Sequence, residues 1–238
     1  MRTTNYMIHS GREINPLTIA LIADVHSEPT GPIVEVLNKT HPDMIAIVGD
    51  IIENDKDEYP LSFFHECSLI ADTFFSLGNH ERKITSSDIY HISKTGTVVL
   101  DNHWVKYNGE YSVGGMTSPF VMEWRQTHQT KLRYALPETE WLNEFEGQDA
   151  FKILLDHHPE NYGRVTKDRK IDLILSGHAH GGQIRLFGHG IYAPHQGLLP
   201  RYTSGVYDNR LVVSKGLSNP KHIPRIGNPK EVVVVNIV

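Results

Sequence analysis

The fold class is decided by the stretch LTIALIADVH, residues 17–26. Its first seven residues form a nearly continuous apolar run, which is typical of a β-strand buried on both faces. Similar runs occupy residues 44–48, 73–77, 151–155 and 171–175. Helices are predicted between them, over residues 32–39, 60–69, 86–93 and 137–145. Because strands alternate with helices, the pattern predicts an α/β fold with a largely parallel core sheet.

Two regions depart from this alternation. Residues 97–116 contain short strand-like stretches separated by Asn-Gly and Gly-Gly pairs, which predict tight turns. Further strands are predicted over residues 211–214 and 231–237, so we expect two sheets rather than one. No internal repeat, low-complexity stretch or long linker divides the sequence, and a single domain over residues 1–238 is the simpler interpretation.

Composition limits the classes of function. The chain has 238 residues, of which 39% are hydrophobic, enough to bury a sizeable core. The formal net charge of -5 does not indicate a general nucleic-acid binder, and no nucleic-acid partner is expected. Cys67 is the single cysteine, which excludes an internal disulfide and a cysteine-rich zinc site.

The N-terminal residues carry no recognisable targeting pattern. Residues 1–10 are polar and lack the basic start and apolar stretch of a signal peptide. The longest early apolar run, residues 17–23, is much shorter than the ~20 residues that cross a bilayer. We therefore expect a cytoplasmic protein without a transmembrane segment.

Side chains that commonly bind metal ions follow each predicted core strand. In α/β sheets, ligands bind outside the carboxyl ends of the strands. Five such strand ends are therefore expected to converge on one metal cluster. The candidate ligands are Asp24, His26, Asp50, Asn79, His157, His178 and His180.

The spacing within two segments supports this cluster. Asp24 and His26 are two residues apart, as are His178 and His180. In an extended backbone such residues point to the same side, so each pair is expected to reach one cluster. Carboxylate, amide and imidazole ligands without a thiolate suit Mn, Fe, Zn, Co or Ni. A glycine, which permits close backbone approach, precedes a ligand at Gly49, Gly78 and Gly177.

No single segment establishes the site. An isolated Asp-x-His or Gly-Asp is usually a surface turn. Gly-His-x-His-Gly-Gly is a stronger signal, because two imidazoles between glycines have little packing rationale. The five segments together, in this order and each after an apolar strand, favour a metal site over coincidence.

The ordered set Asp-x-His, Gly-Asp, Gly-Asn-His-Glu, His-x-Pro and Gly-His-x-His resembles the calcineurin-like metallophosphoesterases over about residues 17–237. The continuation GHAHGGQIR at residues 177–185, with Arg201-Tyr202 and residues 214–217 downstream, is similar to the YkuE/YaeI-type branch of bacterial phosphodiesterases. The resemblance implies a four-layer sandwich of two mixed β-sheets flanked by helices. It also implies a phosphoric ester hydrolase that uses two metal ions.

The resemblance further implies a role for each matched residue. A hydroxide held between the ions would attack phosphorus. His80 would lie near the phosphate without binding metal, as a general acid or an electrostatic stabiliser; the alternative is a purely structural histidine. Glu81 is expected to orient the loop or His80. The implied ligands are Asp24, His26 and His180 for one ion, Asn79, His157 and His178 for the other, and Asp50 as the bridge.

Two features depart from the family pattern. Many relatives in this branch carry an export signal or a membrane segment, which residues 1–10 do not show, and this weakens the case for an envelope lipid as substrate. The residue before the ligand histidine is Asp156, expected either to orient an imidazole or to face solvent. His158 is an alternative ligand, and the match to His-x-Pro favours His157.

The leading function is a phosphodiesterase or phosphatase acting on a small or lipid-linked phosphate ester. One alternative is a pyrophosphatase for UDP-diacylglucosamine, an activity of some relatives. The other is a non-catalytic metal-binding scaffold, which would be free to lose ligands. Exposed apolar residues around the pocket would favour a lipid substrate. Arg82, Arg185, Arg201 and Lys215 could bind phosphate.

Overall fold

The computed structural model describes residues 1–129, 136–219 and 224–238. Its strands are β1 (Arg2–Ile8), β2 (Leu17–Ile22), β3 (Met44–Val48), β4 (Asp72–Ser76), β5 (Val98–Leu100), β6 (His103–Tyr107), β7 (Tyr111–Met116), β8 (Phe151–Asp156), β9 (Leu173–Ser176), β10 (Arg185–Leu186), β11 (His189–Gly190), β12 (Tyr192–Ala193), β13 (Gly197–Leu198), β14 (Gly205–Tyr207), β15 (Leu211–Val213) and β16 (Glu231–Ile237). Its helices are α1 (Gly31–Thr40), α2 (Leu61–Ile70), α3 (Ser86–Lys94), α4 (Pro119–Thr127) and α5 (Leu142–Glu146).

Most of the strands belong to two six-stranded mixed sheets. The first sheet has the order β1-β16-β2-β3-β4-β5, in which β2 to β5 are parallel and β16 is antiparallel to β2. The second has the order β14-β15-β9-β8-β7-β6, parallel in its centre with antiparallel edge strands. The remaining strands form the hairpins β10–β11 and β12–β13. The predicted α/β class with two mixed sheets is therefore confirmed.

Three apolar cores hold the layers together. Between the sheets, Leu21 of β2 belongs to the same core as Leu155 of β8. Phe64 of α2 packs in a second core on the outer face of the first sheet, and Phe145 of α5 in a third on the outer face of the second. Because successive strand residues face opposite sides, the continuous apolar runs supply two cores at once. The result is the four-layer arrangement that the family resemblance implies.

The helix predicted over residues 137–145 is wrong in its first half. The structure has only the short helix α5, and Glu138 precedes it in a loop. There the carbonyl of Glu138 accepts a hydrogen bond from the indole nitrogen of Trp141, at 3.1 Å. Proline and acidic residues favour a helix start, but most helical stability comes from tertiary packing.

The Gly-Gly turn predicted within residues 97–116 is also wrong. Gly114 and Gly115 lie inside β7, paired to β6 and β8. A Cβ atom on Gly115 would lie 2.3 Å from the Cβ atom of Leu100 in β5. This glycine allows β5, an edge strand of the first sheet, and β7, the strand next to the edge of the second sheet, to approach each other closely. The Asn-Gly pair at residues 108–109 does connect β6 to β7, as predicted.

The strands β1 and β10 to β14 and the helix α4 were not predicted. Residues 2–8 are polar, yet they form β1, an edge strand that pairs in parallel with β16. The helix α4 begins after Ser118, whose hydroxyl accepts a hydrogen bond from the backbone of Phe120. Among the residues that the structure describes, no helix has the length and apolar character needed to cross a bilayer.

Candidate metal centre

The candidate ligands follow the carboxyl ends of strands that meet at one edge of the two sheets. Asp24 comes two residues after β2, Asp50 two after β3, His157 directly after β8 and His178 two after β9. Asn79 follows β4. A pocket of about 260 Å³ opens at this edge. Its lining includes His26, Asp50, Asn79, His80, His178 and His180.

The acidic and imidazole candidates form two adjacent groups. Asp24, His26 and His180 are the first group, and Asp50, His157 and His178 are the second; within each group the ligand atoms lie within 4.8 Å of one another. The Oδ2 atom of Asp50 is 3.1 Å from Nε2 of His157 and 3.6 Å from Nε2 of His26. Asp50 therefore lies between the groups, and this division matches the one that the resemblance implies.

Unpaired polar atoms show that these residues fit a metal ion. Among the residues that the structure describes, Oδ1 of Asn79 and Nδ1 of His180 are buried and have no hydrogen-bond partner. Buried polar atoms are nearly always paired in native proteins, and a cation would pair both of these. The oxygen and imidazole donors are those that divalent transition metals accept.

The backbone at the candidate ligands differs from the expectation. Extended backbone was expected to turn each pair of ligands to one side, and this is wrong. Five of the seven candidate ligands have positive φ angles instead, in the left-handed region that non-glycine residues rarely adopt. Strain of this kind clusters at functional sites, where the surrounding structure maintains it. The angles are 55° for Asp24, 48° for His26, 55° for Asp50, 62° for His178 and 46° for His180.

Two glycines allow other segments to approach the ligands. Gly49 has a φ angle of 74°, and a Cβ atom there would lie 2.6 Å from Nδ1 of His157. Gly216 has a φ angle of 75°, and its Cβ atom would lie 2.7 Å from Oδ2 of Asp24. The close backbone approach expected at Gly49 is therefore present. Gly216 makes a second close approach, to Asp24, from a distant loop.

Hydrogen bonds distinguish His157 from His158. Nδ1 of His157 lies 2.8 Å from the carbonyl oxygen of Val48, so this nitrogen donates and Nε2 is left facing Asp50. His158 turns away, with its Nε2 atom 2.8 Å from the hydroxyl of Ser118. A donor bond from one ring nitrogen to a carbonyl is the usual way a metal-binding histidine is oriented. The geometry favours His157 as the ligand.

The electrostatics of the site keep Asp50 ionised. Burial by itself raises the pKa of Asp50, but the neighbouring rings of His157, His80 and His26 hold that pKa well below its usual range. Burial likewise opposes charge on His157, yet the carboxylates of Asp50 and Asp24 raise its pKa to about 10. The ion-free site thus binds a proton at His157, which a metal ion would displace.

Glu81 orients the loop around Asp50. Its carboxylate is fully buried and accepts hydrogen bonds from the backbone nitrogens of Asp50, Ile51 and Gly78, at 2.7 to 2.9 Å. Both carboxylate oxygens are used by the backbone. Glu81 therefore acts on the loop, which is one of the two positions expected for it.

His80 is held beside the two groups by hydrogen bonds from both its backbone and its ring. Its backbone nitrogen donates to Oδ1 of Asp50 at 2.8 Å, and its Nδ1 atom lies 2.6 Å from the carbonyl oxygen of Glu53. Its ring meets the ring of His26 edge-on, 4.5 Å between centroids. With Nδ1 engaged, Nε2 is the nitrogen left for another partner.

Two residues of the site were not predicted. Oε2 of Glu53 lies 2.8 Å from Nδ1 of His26. Nδ1 of His195 lies 2.9 Å from Nε2 of His178, and the two rings stack with an interplanar angle of 9°. His195 also belongs to a neighbouring group with His158, Glu160 and His178, whose ligand atoms lie within 4.8 Å of one another.

Asp156 takes neither of the positions expected for it. The side chain is buried rather than facing solvent, and it contacts no imidazole through its hydrogen bonds. Its Oδ1 atom accepts from the backbone nitrogen of His158 at 3.1 Å and from the side-chain amide of Asn161 at 3.0 Å. Burial raises the pKa of Asp156 to about 7.

Most of the candidate phosphate binders are engaged elsewhere. Arg201 is exposed beside the ring of Tyr202. The other three contact protein groups and are not directed at the pocket by these contacts. Arg82 pairs with Asp55 through two nitrogens, Arg185 donates to the carbonyl of Gly181, and Lys215 pairs with Glu231.

A family model for calcineurin-like phosphoesterases matches residues 17–182. This chain belongs to the calcineurin-like phosphoesterase family. The match runs from the start of β2 to Gly182, two residues beyond the second histidine of the Gly-His-x-His segment, and includes every candidate ligand. Membership in the family confirms that the chain is a metal-dependent phosphoric ester hydrolase.

Relatives of this phosphoesterase agree with the branch suggested by the sequence. The chain is 29% identical to the Caenorhabditis elegans protein F40B5.2 over 85% of its residues. It is 26% identical to YpbG and 28% identical to YkuE, both of Bacillus subtilis, over 100% and 78% of its residues. The chain spans 44% of the length of F40B5.2, 64% of YkuE and 87% of YpbG.

Proposed function

We propose that this chain is a dinuclear phosphodiesterase or phosphatase whose ions share Asp50. The observation that carries the proposal is the position of Oδ2 of Asp50, 3.1 Å from His157 and 3.6 Å from His26. A carboxylate at this place supplies negative charge to both groups of ligands at once. The proposed ligands are Asp24, His26 and His180 for one ion, and Asn79, His157 and His178 for the other.

When bound, two such ions neutralise phosphoryl oxygens and lower the pKa of a coordinated water. The remaining tasks belong to the chain. The carbonyl of Val48 and the carboxylate of Glu53 hold the rings of His157 and His26. His80 is fixed through Nδ1, so Nε2 is the ring nitrogen that would donate a proton to the departing oxygen.

The proposed substrate is a small or lipid-linked phosphate ester. A cytoplasmic location and a single domain over residues 1–238 are also proposed. The filled ligand positions argue against a non-catalytic scaffold, which would be free to lose ligands. His80 beside them adds a proton donor that metal binding alone does not require.

Metal analysis of matched variants tests the shared carboxylate. We expect two ions per chain in the purified protein, together with hydrolysis of bis(p-nitrophenyl) phosphate. Asp50→Asn is expected to lower the occupancy of both ions, whereas His26→Ala chiefly affects one. His9→Ala, which changes an exposed histidine away from the ligands, is the control. One ion per chain, or the same pattern of loss in both variants, contradicts the proposal.

A further inference from the structure

Four large apolar side chains are exposed on the two small hairpins that follow the Gly-His-x-His segment. We call these residues, Leu186, Phe187, Leu198 and Leu199, the apolar rim. Phe187 is 101% exposed, Leu199 82%, Leu198 76% and Leu186 55%. Single exposed apolar residues are common, but several together indicate a surface that binds a membrane or another molecule.

The two hairpins are connected through one residue. Ile191 joins β11 to β12, and its backbone nitrogen donates to the carbonyl of Ile184 at 2.9 Å. Its own carbonyl accepts from the nitrogen of Leu199 at 2.8 Å. The hairpins therefore form one connected structure, so their apolar side chains are presented together.

Two of the four rim residues have a strained backbone without a packing reason. Phe187 has a φ angle of 49° and Leu199 of 52°. Bulky residues rarely adopt this left-handed region, and strain there persists where it serves a function. Neither side chain is buried against the fold. Packing within the chain does not account for placing these residues here.

The rim borders the candidate metal centre. Tyr192, Pro194 and His195, which belong to the second hairpin, line the same pocket as His26 and Asp50. Any body that covers the rim therefore lies beside the mouth of that pocket. A substrate anchored in that binding partner could reach the pocket while it remains partly inserted there.

The sequence segment that contains the rim has a formal charge of opposite sign to that of the whole chain. The net charge of the chain is -5, yet within residues 173–230 the only acidic residue is Asp208. Arg201 follows the rim in sequence, His189 lies between its two pairs of residues, and both are exposed. The seven cationic residues of this segment are Arg185, Arg201, Arg210, Lys215, Lys221, Arg225 and Lys230. Two of them are paired with acidic residues from outside the segment, Lys215 with Glu231 and Lys230 with Glu28. Among these lysines and arginines, Arg201 is the exposed one nearest to the rim in sequence.

We propose that the apolar rim docks on an anionic lipid bilayer and brings the pocket to a phosphate ester at the membrane surface. Apolar side chains enter the interface while neighbouring cations attract anionic head groups, the combination used by proteins that lie on membranes. A second copy of the chain is a poorer partner, because a two-fold contact would bring the same cations together. The inference rests on the proposed function and narrows its substrate to a lipid.

Vesicle sedimentation with matched variants tests the docking. The probes are vesicles of phosphatidylcholine with an equal share of phosphatidylglycerol, and vesicles of phosphatidylcholine alone. We expect the metal-loaded protein to bind the anionic vesicles preferentially. Phe187→Ser and Leu199→Ser should each weaken binding by about tenfold. Leu69→Ser, which changes a 74% exposed leucine on α2, is the matched control and should bind as the wild type does.

Charge and activity are measured on the same proteins. Arg201→Gln should weaken binding to anionic vesicles, whereas Lys106→Gln, on the edge strand β6, should not. Both rim variants should hydrolyse bis(p-nitrophenyl) phosphate at the wild-type rate, since neither residue lines the pocket. Asp50→Asn should lose that activity and still bind vesicles, which separates failure of the docking from failure of the proposed function.

Three outcomes would overturn the docking proposal. The first is a wild-type protein that does not sediment with anionic vesicles at low salt. The second is equal loss of binding in Leu199→Ser and Leu69→Ser. The third is a dimer in size-exclusion chromatography that Phe187→Ser dissociates, which would make the rim an interface between copies.

Discussion

The ring of His195 lies face to face with the ring of His178, and Nδ1 of His195 is 2.9 Å from Nε2 of His178. A metal-binding histidine usually donates its second ring nitrogen to a fixed acceptor, which sets its tautomer and orientation. His195 occupies the position of that acceptor. It comes from the hairpin β12–β13, so the hairpin and the proposed ligand are mechanically linked.

Replacing His195 by alanine should therefore weaken one ion more than the other. We expect His195→Ala to lower the affinity of the ion proposed at His157 and His178 by about 10–100-fold. Crystallographic occupancies after dialysis against graded metal concentrations would measure this. His189→Ala, on the exposed neighbouring strand β11, is the control. Unchanged occupancies would show that the contact does not orient His178.

Removing the ring of His80 should reduce activity without removing metal. We expect His80→Ala to retain both ions, because Nδ1 is used by the carbonyl of Glu53 and the backbone nitrogen still reaches Asp50. An alkoxide leaving group needs a proton as its bond breaks, whereas p-nitrophenolate departs without one. The loss should therefore be about 10²–10⁴-fold for alkyl esters and much smaller for aryl esters.

The ratio of kcat/KM for matched alkyl and aryl phosphodiesters measures this difference. Equal slowing of both esters would make His80 a source of positive charge at the phosphoryl oxygens instead of a proton donor. Metal loss in His80→Ala would assign it to ligand binding or to support of the loop.

Comparing two glycines with nearly the same φ angle distinguishes the cost of backbone strain from the cost of a steric contact. Gly216 has a φ angle of 75° and lies against Asp24, while Gly109 has a φ angle of 73° and no atom within 4 Å of a Cβ position. We expect Gly109→Ala to lower the free energy of unfolding by about 1–2 kcal/mol. Gly216→Ala should lower it further and reduce metal occupancy, because its methyl group displaces Asp24.

Urea unfolding and elemental analysis of the two glycine variants provide the measurement. Equal unfolding midpoints with full metal content in both would mean that Asp24 adapts to a methyl group at no cost. In that case the approach of Gly216 would not be needed for the site.

The buried carboxyl of Asp156 should make stability depend on pH. Burial raises its pKa to about 7, so between about pH 4 and that value the native state keeps a proton that the unfolded chain releases. The free energy of unfolding of the wild type therefore falls as pH rises through this window, by up to about 1.4 kcal/mol per pH unit. Above it, both states are ionised and the loss is complete.

Asp156→Asn removes this dependence because an amide does not titrate, and its Oδ1 can still accept from His158 and Asn161. The stability of the variant relative to the wild type should rise from about pH 4 to pH 7 and then level off. Urea titrations of EDTA-treated proteins measure it without a contribution from metal. Asp149→Asn, exposed just before β8, is the control. Parallel curves for Asp156→Asn and the wild type would contradict the shift.

The convergence of the ligands could be predicted because it follows from local patterns. Apolar runs such as residues 44–48 define parallel strands, and parallel strands end at one edge. Ligand types after such ends then indicate a shared site. The physical reason given for the paired spacings was nevertheless wrong. Asp24 and His26 reach the site through left-handed backbone that follows β2, and not through the alternation of an extended strand.

The contacts made by distant loops could not be predicted. His195 meets His178 only because the hairpin β12–β13 folds back over the site, and nothing in its own sequence specifies that contact. The same holds for Gly216, which approaches Asp24 from a loop far along the chain. Such pairings depend on the packing of whole layers, to which local propensity contributes little.

The position of β16 in the first sheet has a consequence for synthesis of the chain. β16 lies between β1 and β2, pairing with both, although it is formed by residues 231–237. A ribosome releases β2 long before β16, and until then one side of β2 has no strand to receive its backbone hydrogen bonds. Non-local pairings of this kind slow folding and expose open strand edges to aggregation. The nascent protein therefore presents an open edge at β2 until its last strand has been synthesised.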